Sequence, residues 1–175
     1  MQQHIRDSLL RAREAFERRP SAALQNDSPA LAVWQGGVST LMQHPALPGA
    51  VHSDLPAALG GEGHGPSPGW YFRAGIASCM ATSIAMEAAL LGIRLSRLEV
   101  VANSESDARG MLGNASIASG PLRMWLTISL DAADTPEAQL RDLVTSASAK
   151  SPMADGLRRE LEVSLDLHVR ASPAQ

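Results

Sequence analysis

The pattern of hydrophobic and polar positions first predicts an amphipathic helix at the start of the chain. Between residues 4 and 19, apolar residues recur at helical spacing among charged ones, and Pro20 ends the stretch. Those apolar residues are Ile5, Leu9, Ala12 and Phe16. We assign residues 1–20 to an N-terminal helical extension that packs on the body of the protein or on a partner subunit. The alternative is a detachable, solvated arm.

A longer helix is predicted over Gly69–Leu91, with Gly92 as its stop residue. Its apolar residues run almost all round, which predicts burial on both sides. The apolar run from residue 74 to residue 93 approaches membrane-spanning length, but it contains Glu87, and a carboxylate deep in a bilayer is costly. We therefore interpret it as a buried helix of a domain without a membrane span.

Several stretches outside this helix are predicted as strands, and one more as a helix. The predicted strands are Leu31–Gln35, Val38–Gln43, Leu95–Ser104, Leu122–Leu130 and Leu161–Val169. A helix over Pro136–Lys150 is predicted to be capped by Thr135. The strands near residues 122–130 and 161–169 alternate strictly between apolar and polar residues, as antiparallel strands with one solvated face do. The pattern favours an α+β fold, with residues 21–175 as a single domain, over a doubly wound α/β fold.

The amino-acid composition and net charge argue against several classes of function. The 15 Lys and Arg are balanced by 18 Asp and Glu, giving a net charge of -3, so no basic surface for nucleic acid or acidic lipid is expected. The charged N-terminus lacks the apolar centre of a signal peptide, which predicts a cytoplasmic protein. One cysteine excludes an internal disulfide and a Cys/His zinc pattern, and we expect no metal and no cofactor.

The stretch GGEGHGPSPGWYFRAGIASCMATSIAMEAALLGI, from Gly60 to Ile93, resembles the signature of the OsmC/Ohr family. It has a Gly/Pro-rich loop, a Ser-Pro step and a long Ala-rich helix that holds a cysteine. The resemblance implies an OsmC-like α+β fold in which antiparallel sheets wrap two central helices of an intertwined homodimer. It also implies thiol-dependent reduction of organic hydroperoxides in oxidative stress defence, with an external thiol as reductant.

The resemblance assigns the attacking, peroxidatic cysteine of such enzymes to Cys79, but the rest of their apparatus departs from the pattern. Ser151-Pro152 stands where the family has its resolving Cys-Pro, and a serine hydroxyl cannot form a disulfide. Pro68-Gly69-Trp70 replaces Pro-Glu-Glu, so the carboxylate that orients the catalytic arginine is missing. Between residues 20 and 71 there is no Arg or Lys to serve as that arginine.

Without the family, Cys79 remains open to two interpretations: an inert core residue and a functional thiol. It lies too far inside its helix to benefit from the helix dipole. Arg73 on the same helix points away from Cys79 and could assist only across a subunit interface.

Two further residues, Glu87 and Trp70, complete the predicted pocket. For Glu87 we favour a position facing a watery gap or a subunit seam, the alternative being a buried partner or a raised pKa. Trp70 is expected at an interface or in a ligand pocket. We include Arg73, Ser151, Glu87 and Trp70 as pocket candidates around Cys79.

Three hypotheses follow. The leading one is a homodimer that has lost the two-cysteine mechanism and binds a small apolar or thiol ligand near Cys79. The rival is a one-cysteine hydroperoxide reductase in which an external thiol resolves a Cys79 sulfenic acid. The third is a structural or interaction protein that uses the N-terminal helix for docking.

Overall fold

The computed structural model describes residues 2–171 as helices and strands in mixed order. The helices are α1 (Gln2–Arg18), α2 (Pro68–Leu91), α3 (Ala108–Met111), α4 (Glu137–Lys150) and α5 (Pro152–Arg158). The strands are β1 (Leu31–Gly36), β2 (Ser39–Gln43), β3 (Ala50–Ser53), β4 (Leu95–Ser106) and β5 (Pro121–Ala132). Both sheets are antiparallel, so the predicted α+β class is confirmed. Met1 and residues 172–175 belong to the predicted extension and domain but lie outside the described residues.

The two ends of the central helix α2 are determined by a capping serine and by a glycine. Ser67 caps its start, since its hydroxyl accepts a hydrogen bond from the backbone N–H of Trp70 at 3.3 Å, and Pro68 occupies the first turn. Gly92 ends it in the left-handed conformation, with φ of 72°. The predicted stop at Gly92 is confirmed.

The core lies where α2 meets α4 and the long hairpin formed by β4 and β5. Met80, Ile84 and Ala88 of α2 recur at helical spacing and are at most 2% exposed. They pack with Leu143 and Ala147 of α4, which are fully buried. Alternate apolar residues of the hairpin cover this cluster from the sheet side: Leu98, Val100, Leu126 and Ile128.

The prediction that α2 is buried on both sides is wrong for a single chain. Its core-facing residues are enclosed, but Trp70 is 48% exposed and Leu91 is 51% exposed. The described chain has too few elements to surround the helix, which contacts β4, α4, α1 and α5. The helix is long and apolar enough to cross a membrane by length and composition, yet it supplies most of the core of this domain.

The N-terminal sheet has the order β1-β2-β3 and packs weakly on the remainder of the domain. The first two strands were predicted, whereas β3 was not, because four residues carry too little periodicity. Val33, Trp34 and Val51 are 42%, 70% and 49% exposed. The sheet therefore presents apolar side chains to solvent in a single chain.

The predicted final strand over Leu161–Val169 is not formed within the chain. These residues have no regular secondary structure, and their five apolar side chains are between 60% and 84% exposed. Alternation specifies a residue pattern suited to a strand, but a strand also needs a neighbour for its backbone N–H and C=O groups. Within residues 2–171 this segment has none.

The predicted capping of α4 is also wrong. The helix begins at Glu137, its N-cap position is Pro136, and the Thr135 hydroxyl instead donates to the carbonyl of Ala133 at 3.2 Å. Pro136 has no side-chain acceptor, so the start of α4 has no side-chain cap. The end of α4 at Lys150 agrees with the prediction.

Candidate functional site

Cys79 and Ser151 lie side by side where α2 meets the junction of α4 and α5. The Sγ atom of Cys79 is 3.4 Å from the Oγ atom of Ser151, within hydrogen-bonding distance for sulfur. Cys79 is partly buried, whereas Ser151 is 1% exposed. Ser151 both ends α4 and precedes Pro152, the first residue of α5. The two sequence positions compared with a peroxidatic and a resolving cysteine are therefore neighbours in space.

Cys79 opens into a cavity of about 530 Å³ between α1 and α2. The α2 wall consists of one helical face, next to the face that fills the core: Cys79, Thr82, Ser83, Met86, Glu87 and Leu90. Ser83 is tied back to the helix, because its hydroxyl donates to the carbonyl of Cys79 at 2.9 Å. The volume lies within the range of about 300–1,000 Å³ that is typical of small-molecule sites.

The other wall of the cavity comes from the N-terminal helix. Leu9, Ala12, Arg13 and Phe16 of α1 line the cavity. None of the helix's described residues is fully buried, so α1 lies on the surface of the domain and leaves the cavity open at its edge. The apolar stripe predicted from the sequence is thus the stripe that faces α2.

Glu87 has a defined cationic partner. Both of its carboxylate oxygens accept hydrogen bonds from Nζ of Lys150 at 2.8 Å, and Oε1 also accepts one from Ser146 at 2.8 Å. Glu87 is 8% exposed. The Lys150 hydrogen bond lowers the pKa of Glu87 below its usual 4.5, with Ser146 acting in the same direction and burial opposing both.

Glu87 therefore lines the cavity and also has an ionic partner, Lys150, whose side chain is 60% exposed. The predicted position of Glu87 at a subunit seam stays a prediction. The pKa of Glu87 is lowered rather than raised because the ammonium group outweighs the loss of hydration. Sequence reasoning flagged Glu87 but missed Lys150, Ser146 and Arg13. The available signal was a lysine at the last turn of a predicted helix, but the register between two helices cannot be inferred from their separate patterns.

Arg73 and Trp70 do not meet Cys79 within the described chain. The Nη1 atom of Arg73 donates to the Ser104 hydroxyl at 3.2 Å, and its side chain lines a separate cavity at the start of α2. Trp70 stacks edge-on against Tyr71, with ring centroids 5.1 Å apart. At about 1.5 Å per helical residue, both positions lie roughly 9 to 14 Å from Cys79 along the helix axis. Their predicted part in one pocket with Cys79 stays a prediction.

Across residues 2–171, no group of three or more His, Cys, Asp or Glu side chains converges as a metal site would require. The polar groups around Cys79 are instead three hydroxyls, one carboxylate and two cations. Such a set can hold an anion or hydrogen-bond a polar group at the end of an apolar ligand.

Solved structures with the same fold include several proteins described as organic hydroperoxide resistance proteins. An OsmC organic hydroperoxide resistance protein from Legionella pneumophila is 20% identical, with a TM-score of 0.59 over 77% of this chain and 91% of the other. An OsmC-like protein from Mycoplasma pneumoniae is 14% identical, with a TM-score of 0.66 over 77% and 89%. A putative organic hydroperoxide resistance protein from Vibrio cholerae, with captopril bound in one of its active sites, is 21% identical, with a TM-score of 0.54 over 77% and 88%.

Sequence comparison agrees with the structural similarity to OsmC proteins. No curated protein sequence matches the chain. The family model for OsmC-like protein matches residues 61–166, which include α2, the β4–β5 hairpin, α4 and the Ser151-Pro152 step. The match covers more than half of the chain and contains both Cys79 and Ser151. The chain therefore belongs to the OsmC-like protein family.

Proposed function

We propose that this protein is a small-ligand-binding member of its family that does not use a two-cysteine peroxidase mechanism. The observation that carries the proposal is the environment of the Cys79 thiol, which borders an apolar cavity and faces the Ser151 hydroxyl at 3.4 Å. The hydroxyl can hydrogen-bond the sulfur but cannot resolve a sulfenic acid as a disulfide. The Vibrio cholerae relative with captopril in an active site supports the use of this fold for small-ligand binding.

Two measurements test the proposal. Purified protein should give no steady turnover of cumene hydroperoxide with dithiothreitol beyond that of its Cys79→Ala variant. Turnover that Cys79→Ala abolishes would overturn the proposal.

Ligand binding is measured with Nile red, a neutral dye whose fluorescence rises in apolar surroundings. The wild-type protein should bind it saturably. Thr82→Trp, which fills the cavity from α2, should abolish binding, whereas Gln139→Trp on the exposed surface of α4 should not. Equal binding by both variants would place the dye elsewhere and contradict the proposed site.

A one-cysteine hydroperoxide reductase is the second candidate, favoured by the cations Arg13 and Lys150 that line the same cavity. The Cys79 thiolate would attack one peroxide oxygen, forming an S–O bond as the O–O bond breaks and the alkoxide leaves as an alcohol after protonation. One external thiol would displace water from the sulfenic acid, and a second would release Cys79 and become a disulfide. Dimedone trapping of Cys79 after one equivalent of hydroperoxide supports this candidate, and an unreactive thiol at neutral pH excludes it.

The exposed apolar surfaces support a homodimer, as the family resemblance implies. The β1–β3 sheet and the extended segment over residues 161–169 both present apolar side chains that a second copy would cover. Light scattering should give twice the chain mass of 18.5 kDa. Leu165→Glu combined with Leu167→Glu should shift the mass towards the monomer, whereas Glu162→Lys on the polar alternation should not. A monomeric wild-type protein would refute the dimer. A soluble cytoplasmic dimer is the form we expect in the cell.

A further inference from the structure

The C-terminal half of the N-terminal helix α1 lies over Cys79. The Gln2 side chain donates to the carbonyl of Ile93 at 2.9 Å, just beyond the C-terminal end of α2. Phe16, near the other end of α1, lines the cavity beside Cys79. The two helices therefore run antiparallel, and the C-terminal half of α1 covers the thiol. Helix α1 precedes residues 61–166, the part of the chain that the family model matches.

The charges that line the cavity do not cancel. They come from Arg13, Glu87 and Lys150, and Glu87 is bound by Lys150 at 2.8 Å. Arg13 makes no ion pair and no side-chain hydrogen bond with any other of residues 2–171. Its guanidinium is nonetheless close enough to contribute to the lowered pKa of Glu87. One positive charge at the edge of an apolar cavity is therefore left without a counter-ion.

The apolar part of the cavity begins next to this charge. Leu9 and Phe16 lie about one helical turn before and after Arg13 on α1, and Met86 and Leu90 face them from α2. A guanidinium group binds a carboxylate through two parallel N–H donors, and the attraction is stronger next to apolar surface than in bulk water. Charge and shape together match a molecule with one anionic end and an aliphatic or aromatic body.

We propose that the ligand of the Cys79 cavity is an amphipathic monocarboxylate, with its charge held by Arg13 and its body held by Leu9, Phe16, Met86 and Leu90. The proposal rests on the small-ligand function proposed above and specifies the chemical class of that ligand. It makes α1 a specificity element of the site, since the helix supplies both the cation and half of the apolar wall.

The test compares decanoate with 1-decanol, its neutral counterpart of similar length, by displacement of Nile red below the aggregation concentration of either probe. Wild-type protein should bind decanoate at least about tenfold more tightly than decanol, a preference that weakens at high salt. Arg13→Met should remove the preference for decanoate over decanol. Arg11→Met is the matched control, because Arg11 lies on the same helix, bonds the Ser8 hydroxyl and does not line the cavity.

The outcomes separate this inference from the function on which it depends. Equal affinity of wild-type protein for decanoate and decanol would overturn the carboxylate preference while leaving small-ligand binding intact. A preference that survives Arg13→Met would overturn the role of Arg13. Failure of Nile red and both probes to bind would overturn the proposed function itself.

Discussion

Replacing Lys150 with Met should destabilise the protein by leaving Glu87 without its cation. Removing one partner of a fully buried ion pair costs about 3–5 kcal/mol, whereas an exposed pair contributes about 0–1 kcal/mol. The Glu87 side chain is 11% exposed and that of Lys150 is 60% exposed, so this pair lies between those limits. We expect the free energy of unfolding at pH 7 to fall by about 1–2 kcal/mol, with the Ser146 hydrogen bond retained.

The pH dependence gives this prediction a distinctive signature. Lys150 lowers the pKa of Glu87 in the folded state, so the stabilisation is present above the usual value of 4.5. It is lost as the pH falls through the lower folded-state pKa and the carboxylate is protonated. The difference in unfolding free energy between wild type and Lys150→Met should therefore shrink in acid, as urea unfolding at fixed protein concentration can measure.

Arg141→Met provides the matched control on the same helix. Arg141 pairs with Glu137, and both side chains are 77% exposed, so its loss should cost less than about 0.5 kcal/mol. Equal losses in the two variants, or a Lys150→Met effect that is the same at neutral and acid pH, would refute the reasoning about Glu87.

Three further changes probe the site and the fold. Ser151→Cys should form a disulfide with Cys79 on mild oxidation, since the two side-chain atoms are 3.4 Å apart; two thiols that remain titratable under oxidant would contradict that geometry. Ile84→Ala, at a fully buried position, should lower the unfolding free energy by about 2–4 kcal/mol, whereas Leu112→Ala at 69% exposure should cost less than about 1 kcal/mol in the same denaturation assay. The Asp54 carboxylate accepts hydrogen bonds from the backbone N–H groups of Leu55, Glu62 and His64, and an amide can accept fewer. Asp54→Asn should therefore speed proteolysis between residues 54 and 64. An unchanged cleavage rate would count against this role of Asp54.

The sequence pattern correctly predicted those helices and strands whose determining residues lie within the element itself. Helix α2 has a capping Ser67, a long apolar run and a Gly92 that adopts positive φ, and all three signals act within the element itself. Strands β4 and β5 were predicted as separate strands, and the alternation over Leu122–Leu130 specifies which face of β5 meets the core.

The failures occurred where an element depends on a distant neighbour. Residues 161–169 alternate as well as any strand in the chain, but alternation does not supply the adjacent backbone that a strand requires. The Glu87–Lys150 pair spans α2 and α4, and neither helix pattern specifies the rotation of one against the other. The Cys79–Ser151 contact was suggested by resemblance to a family, and its 3.4 Å separation follows from how α2 packs against the α4–α5 junction.

At the α4–α5 junction, the backbone determines where residue 151 lies, whereas its side-chain atom determines which chemistry it can share with Cys79. Ser151 is held in place by its backbone: it ends α4, precedes Pro152, and its carbonyl accepts the N–H of Asp155 at 2.9 Å. None of these interactions uses the hydroxyl, so the position next to Cys79 is retained whichever small residue occupies it. With sulfur at this position the pair could give up two electrons and two protons to an oxidant and form a disulfide, whereas with oxygen it can share only a hydrogen bond. One atom therefore changes which reactions the site supports while the fold, the cavity and the exposure of Cys79 to a ligand stay the same.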